Sequence, residues 1–136
     1  MFFLNNFYSF YIYNQTSLHY AVMYQYIDLV DFLLENNAPL FHYSWECTPL
    51  HIAAENGNTE IITKLVKKGA SLTDYNKNGN TPLIVACMNN RIEAAKLLLK
   101  YGSHPNETGE FIFFYITCKI SKRDDTSSFC LSIRPH

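Results

Sequence analysis

Thr48-Pro-Leu-His-Ile-Ala53 is a hexapeptide with two variants elsewhere in the chain. Thr16-Ser-Leu-His-Tyr-Ala21 begins 32 residues before it, and Thr81-Pro-Leu-Ile-Val-Ala86 begins 33 residues after it. Self-similarity at a nearly constant interval of this length indicates a repeat architecture, in which one supersecondary unit is stacked several times. The sequence therefore predicts a stack of similar units rather than one core without repeats.

Each unit is predicted to contain two helices joined by a short turn. The Thr48 hydroxyl can cap the first helix, and Pro49 then takes the first helical position, where its missing N–H costs nothing. The second helix has apolar residues along one face and ends at Gly69. We expect helices over residues 17–24, 27–36, 49–56, 59–68, 82–89 and 92–101. The side chains expected in the core are Leu50, Ala53, Leu65, Leu83, Ala86 and Leu98.

These features together resemble the ankyrin repeat. Thr-Pro-Leu-His-x-Ala, an Asn-Gly turn, a second helix led by Glu and a closing Gly-Ala all occur in the middle unit. The third unit has Ile84 in place of His, and the first has Ser17 for Pro and Asn37 for Gly. The resemblance implies an all-α solenoid of about three well-formed helix–loop–helix repeats plus a degenerate C-terminal repeat. Its motif residues are Thr16, His19, Thr48, Pro49, His51, Thr81 and Pro82.

The whole chain is predicted to be a single ankyrin-repeat array. Residues 14–45, 46–78 and 79–108 are assigned to repeats one, two and three. Residues 109–136 are interpreted as a degenerate repeat, with an irregular tail as the alternative. Residues 1–13 are either part of an upstream repeat or an improvised cap, because a solenoid leaves an apolar face open at each end.

Composition argues against several classes of partner. The formal net charge is −1, from 11 basic and 12 acidic residues, which gives no electrostatic reason to expect nucleic acid or an anionic membrane. No apolar run approaches the roughly 20 residues that a membrane-spanning helix needs. None of the four cysteines shows CxxC spacing, so reduced thiols are the simpler interpretation. We expect a monomer in the cytoplasm or another intracellular compartment.

The sequence offers no residues on which to base an enzyme. It contains no phosphate-binding glycine loop, nucleophile elbow or HExxH motif. His19 and His51 share one repeat position, and the resemblance implies that such an imidazole bonds the neighbouring Thr and links two repeats. Asp28, Glu60 and Glu93 also share a position, in the first turn of a helix, where the helix dipole favours a carboxylate. We therefore expect a protein that is not an enzyme, with no catalytic residue, cofactor or metal.

Function is expected to lie in protein binding. The resemblance implies that partners meet the hairpin loops and the exposed side of the first helices. Trp45 is the predicted anchor, because Trp and Tyr are enriched at interface hot spots; packing on a neighbouring loop is its alternative. The predicted partner-binding residues are Trp45, Tyr24, Tyr75, Met23, Met88, Glu55, Asn56, Lys77 and Asn78.

Two alternative functions remain open at this point. The chain begins with residues that echo the end of repeat one's second helix, which favours the recognition arm or a fragment of a larger ankyrin-containing enzyme or channel. A decayed gene fragment that does not fold stably is the third possibility. The leading hypothesis is a protein–protein interaction module whose partner is a protein of unknown identity.

Overall fold

The computed structural model of the protein describes residues 16–40 and 47–104. Six α-helices and no strand occur in these two ranges, which confirms the all-α prediction. They are α1 (Ser17–Met23), α2 (Ile27–Glu35), α3 (Pro49–Asn56), α4 (Thr59–Lys67), α5 (Pro82–Met88) and α6 (Ile92–Lys100). Every predicted helix is present, and its observed ends agree to within one residue. None of the six combines the length and the apolar character that crossing a membrane requires.

Side chains that accept backbone N–H groups cap several of the helix starts, whereas α2 and α6 begin without such a cap. The Thr81 hydroxyl accepts from Ile84 N at 3.4 Å at the start of α5. The Asn58 side chain accepts from Ile61 N at 3.1 Å and caps α4. Such caps satisfy amide groups that have no partner within the helix. The capping role of Asn58 is a feature that sequence analysis missed.

The turn between the two helices of each repeat has the same backbone conformation in all three. Gln25, Gly57 and Asn90 occupy equivalent positions and have φ values of 58°, 74° and 60°. This left-handed conformation favours glycine. At Gly57 space is limiting as well, because an added Cβ would lie 2.7 Å from Arg91 Cδ of the next repeat.

The helices pack in two layers. The first helices α1, α3 and α5 contact one another in order, and so do the second helices α2, α4 and α6. Within each repeat the first helix also packs against the second. Small residues such as Ala53, Ala54 and Ala86 are fully buried where first helices approach. All six residues expected in the core are buried, which confirms that prediction.

Three parts of the sequence-based interpretation lie outside the described residues. They are the partial upstream repeat or cap at 1–13, the predicted anchor Trp45 and the degenerate repeat at 109–136. These remain predictions.

Candidate functional site

His51 links repeat two to the hairpin that leads into repeat three. Its Nε2 lies 2.9 Å from the Asn80 carbonyl oxygen, which can only accept, so Nε2 carries the proton. Its Nδ1 accepts the Thr48 N–H at 3.1 Å and lies 2.8 Å from the Thr48 hydroxyl. The ring therefore spans two repeats with both nitrogens engaged.

His19 makes the equivalent link between repeats one and two. Its Nε2 lies 2.8 Å from the Cys47 carbonyl, and its Nδ1 accepts the Thr16 N–H at 3.1 Å. Both imidazoles thus bond the neighbouring Thr and a carbonyl oxygen beyond their own repeat's helices. Ile84 occupies this position in repeat three, and its aliphatic side chain offers no such hydrogen bond.

Burial determines the protonation of His51. Desolvation lowers the pKa of this imidazole from 6.5, and the Asn80 carbonyl and Asp74 oppose the shift only in part. Burial disfavours the charged form of a histidine. His51 is therefore neutral near pH 7 and serves as a fixed link rather than as an accessible acid or base.

The hairpin between repeats two and three is held by its own side chains. The Asn76 carboxamide oxygen accepts the N–H groups of Asn78 and Asn80 at 2.9 and 3.0 Å. Tyr75, Lys77 and Asn78 lie on this loop and are exposed, as the predicted binding surface requires. The loop therefore presents these side chains from a backbone that is tied at several points.

The first-helix part of the predicted surface lies beside this hairpin. Met88 is exposed at the end of α5, and the Asn80 carboxamide donates to its Sδ at 3.5 Å. Glu55 is exposed at the end of α3, and its carbonyl accepts the Arg91 Nε–H at 2.8 Å. Hairpin and first helix are thus brought together at Asn80.

Asn56 and Met23 differ from the other predicted contact residues. The Asn56 carboxamide donates to the carbonyls of Val22 and Met23 at 3.3 and 3.2 Å, so it joins repeat two to repeat one. Both Asn56 and Met23 are half-buried. The structure thus adds a role between repeats for Asn56 that sequence analysis missed, and the partner-binding role of both residues stays a prediction.

Tyr24 belongs to a group of aromatic rings that sequence analysis did not assemble. It stacks on Tyr20 with ring centroids 6.4 Å apart and on Tyr26 with centroids 6.0 Å apart. The spacing of four residues between Tyr20 and Tyr24 on a helix could have indicated the first contact. The second depends on the turn at Gln25.

Two further features bear on chemistry. Burial raises the pKa of Cys87 to about 12, so this thiol stays protonated near neutral pH and is a poor nucleophile. In the second-helix layer, Lys64 Nζ lies 2.7 Å from an Asp31 carboxylate oxygen of repeat one, and this hydrogen bond raises the lysine pKa. Across residues 16–40 and 47–104, no three His, Cys, Asp or Glu side chains converge as metal ligands would.

A family model that describes ankyrin repeats in three copies matches residues 18–109. This chain belongs to the ankyrin-repeat family. The repeats of this family generally mediate protein–protein interactions and are themselves non-catalytic.

Several curated relatives share this region. Human ankyrin repeat and SOCS box protein 11 is 41% identical over 87 residues, which are 64% of this chain and 27% of that protein. Human transient receptor potential cation channel subfamily A member 1 is 36% identical over 106 residues, 76% of this chain and 10% of the channel. A putative ankyrin repeat protein of fowlpox virus is 40% identical over 62 residues, 45% of this chain and 10% of the viral protein. The chain thus spans about a quarter or less of these relatives.

Proposed function

We propose that this chain is a protein–protein interaction module that binds a partner protein through its hairpin loops and the exposed side of its first helices. The observation that carries this proposal is the hairpin before α5. It displays the exposed Tyr75, and its Asn80 contacts the exposed Met88, on a backbone held by Asn76 and by the His51–Asn80 hydrogen bond.

The physical argument rests on side-chain type and rigidity. Tyrosine is enriched at interface hot spots, and methionine adapts its shape to a partner surface. Association also requires ordering of the binding groups, which costs free energy. Because the hairpin is tied by its own hydrogen bonds, that cost is reduced before any partner arrives.

The remaining predicted contacts extend this surface in both directions. Glu55, Lys77 and Asn78 are exposed on it. Met23 and Asn56 are half-buried and contribute at most part of their surface. Tyr24 lies at the corresponding end of repeat one, and Trp45 stays the predicted anchor outside the described residues.

A binding experiment with matched variants tests the proposal. A partner is first isolated by affinity purification on the immobilised chain, and its affinity is then measured by calorimetry. Tyr75→Ala and Met88→Ala should each weaken binding, by about 2 kcal/mol where the residue is a hot spot. Lys67→Ala and Lys68→Ala, on the second-helix side, serve as controls. Unchanged affinity in the first pair and a large loss in the second pair would place the interface on the opposite side.

A second candidate is that the chain is the recognition part of a larger ankyrin-containing enzyme or channel. The match to a cation channel, of which this chain covers 10%, favours it. Under this candidate the repeats hold a protein, and any catalysis or conduction belongs to other domains. Sequencing the transcript that encodes this chain tests it: an open reading frame that continues into further domains supports the larger protein.

A further inference from the structure

The turn between the two helices carries exposed aromatics in repeat one and none in repeats two and three. Tyr24 and Tyr26 are 58% and 59% exposed, and their rings stack. In repeat two the equivalent positions hold Asn56 and Asn58. The ankyrin pattern does not account for these tyrosines, since the turn forms in repeat two without them.

The turn that bears the two tyrosines is fixed by repeat two. The Asn58 carboxamide donates to the Gln25 side-chain oxygen at 3.0 Å, between Tyr24 and Tyr26. The Asn56 carboxamide bonds the carbonyls at the end of α1. These bonds tie the turn to repeat two and the rings stack on one another, which together lowers the ordering cost of a contact.

Repeat one is also the acidic repeat. The α2 helix carries Asp28, Asp31 and Glu35 and no basic residue, whereas α4 and α6 each carry one acidic and two basic residues. Asp31 is paired with Lys64 of repeat two. Asp28 and Glu35 form no salt bridge within residues 16–40 and 47–104. Lys64 interacts with the Asp28 charge through space, but less than with Asp31 and Glu60. Asp28 and Glu35 are both exposed, so these two carboxylates of α2 can still pair with a cation from a partner.

Glu35 carries the charge that the helix dipole disfavours at its position. It lies at the last residue of α2, where the partial negative charge of the helix end favours a cation. Lys67 and Lys100 occupy the equivalent positions in α4 and α6. A carboxylate at this position reduces helix stability slightly, so folding does not account for the choice of Glu35.

The aromatic, apolar and acidic groups adjoin one another. Tyr26 and Leu29 are three residues apart, as are Leu29 and Phe32, and Phe32 is four residues from Asp28 and three from Glu35. Residues at these spacings are neighbours on a helix surface. Leu29 is 41% exposed and Phe32 is half-exposed. They form an apolar strip beside the carboxylates.

We propose that this surface binds a partner segment in which Lys or Arg side chains alternate with apolar residues. The surface, named here the repeat-one surface, comprises Tyr24, Tyr26, Asp28, Leu29, Phe32 and Glu35. A cation can lie over a tyrosine face and pair with a carboxylate, while the apolar residues of the segment cover Leu29. This binding goes beyond the proposed function, since only Tyr24 is common to the two surfaces.

Charge complementarity decides the occupant. Residues 1–15 of this chain are aromatic-rich but contain no Lys or Arg, so they lack the basic side chains that this surface would pair with. A second copy could supply the lysines of α4 and α6, and its binding is treated as a competing outcome.

Selection from a random-peptide display library on the full chain tests the proposal. The recovered peptides should carry Lys or Arg next to apolar residues, and salt should weaken their binding. The double variant Asp28→Asn, Glu35→Gln should weaken binding of a synthetic peptide of this kind about tenfold or more. The matched control is Glu60→Gln, Glu93→Gln, because these residues share the repeat position of Asp28. Tyr26→Ala should also weaken binding, whereas Tyr26→Phe keeps the ring face and should retain it.

Circular dichroism is recorded for each variant to check that it stays folded. Selection of no peptide, selection of peptides without basic residues, or equal binding by the double variant and its control overturns the proposal. Self-association that the double variant abolishes also overturns it, because the cation then comes from a second copy. Binding that is lost only with Tyr75→Ala or Met88→Ala overturns this inference while leaving the proposed function standing.

Discussion

Repeats one and two are both built from two helices joined by a turn, but equivalent apolar side chains differ in their exposure to solvent. Leu29 and Ile61 occupy one repeat position, yet Leu29 is 41% exposed and Ile61 is fully buried. The difference arises because α4 packs against α2 and α6, whereas α2 packs against α4 alone among the described second helices. The position of a repeat in the stack, rather than the residue type, thus decides how far an apolar side chain is buried and how much it contributes to stability.

The largest expected effect comes from replacing these two residues. Ile61→Ala removes buried methyl groups and should lower the free energy of unfolding by about 2–5 kcal/mol. Leu29→Ala at the equivalent exposed position should cost clearly less. Urea unfolding followed by circular dichroism measures both. Similar losses in the two variants would show that the open side of repeat one is covered in solution.

Removing the His51 link between repeats two and three should have the second-largest effect on stability. His51→Ala leaves the Asn80 carbonyl and the Thr48 N–H without their partner, and a lost buried hydrogen-bond partner costs about 1–3 kcal/mol. His104→Ala is the control, because His104 is exposed and surface changes stay within about 0.5 kcal/mol. The same unfolding measurement applies. Equal, small effects would mean that repeats two and three hold together without the histidine.

Acid should weaken the same junction. The folded-state pKa of His51 lies below 6.5, so the unfolded chain takes up a proton at a pH where the folded chain does not. The stability that neutral His51 contributes is therefore present above about pH 6.5 and is lost as the pH falls toward the folded pKa. Thermal melts between pH 7.5 and pH 5 measure this. The decline should be shallower in His51→Ala; an unchanged slope would argue against the assignment.

The smallest expected effect concerns the Lys64–Asp31 pair between repeats one and two. Both side chains are partly exposed, and exposed ion pairs contribute little because water and salt screen them. Lys64→Ala should shift the melting temperature slightly at low salt and not at high salt. A large shift that persists at high salt would mean that this pair anchors repeat one.

The fold was predictable because its signals are local. A Thr marks the same point in each unit, with Pro or His beside it, and the interval between units sets the register of all six helices. The contacts between repeats were harder to predict from the sequence. The sequence indicates only a turn at Asn56. The structure shows in addition that its carboxamide donates hydrogen bonds to the Val22 and Met23 carbonyls. Asp31 and Lys64 are 33 residues apart, one repeat length, but that spacing alone does not select them among other charged pairs.

The exposed positions of the candidate site were predictable from the repeat register, but the contacts among its side chains were less so. Tyr75, Met88 and Lys77 lie exposed where the repeat register puts them. The stack of Tyr24 on Tyr26 was not foreseen, because it depends on the left-handed turn at Gln25.

Helix boundaries, repeat register and the buried alanines follow from the amino-acid sequence, since caps, prolines and periodic apolar residues act within a few positions of themselves. Tertiary structure alone decides which equivalent side chains are covered, because that depends on whether another repeat packs against them. The exposure of Leu29 against the burial of Ile61 is one such outcome. The two tyrosines and two carboxylates that repeat one presents to solvent are another, since their neighbours arrive only when the helices stack.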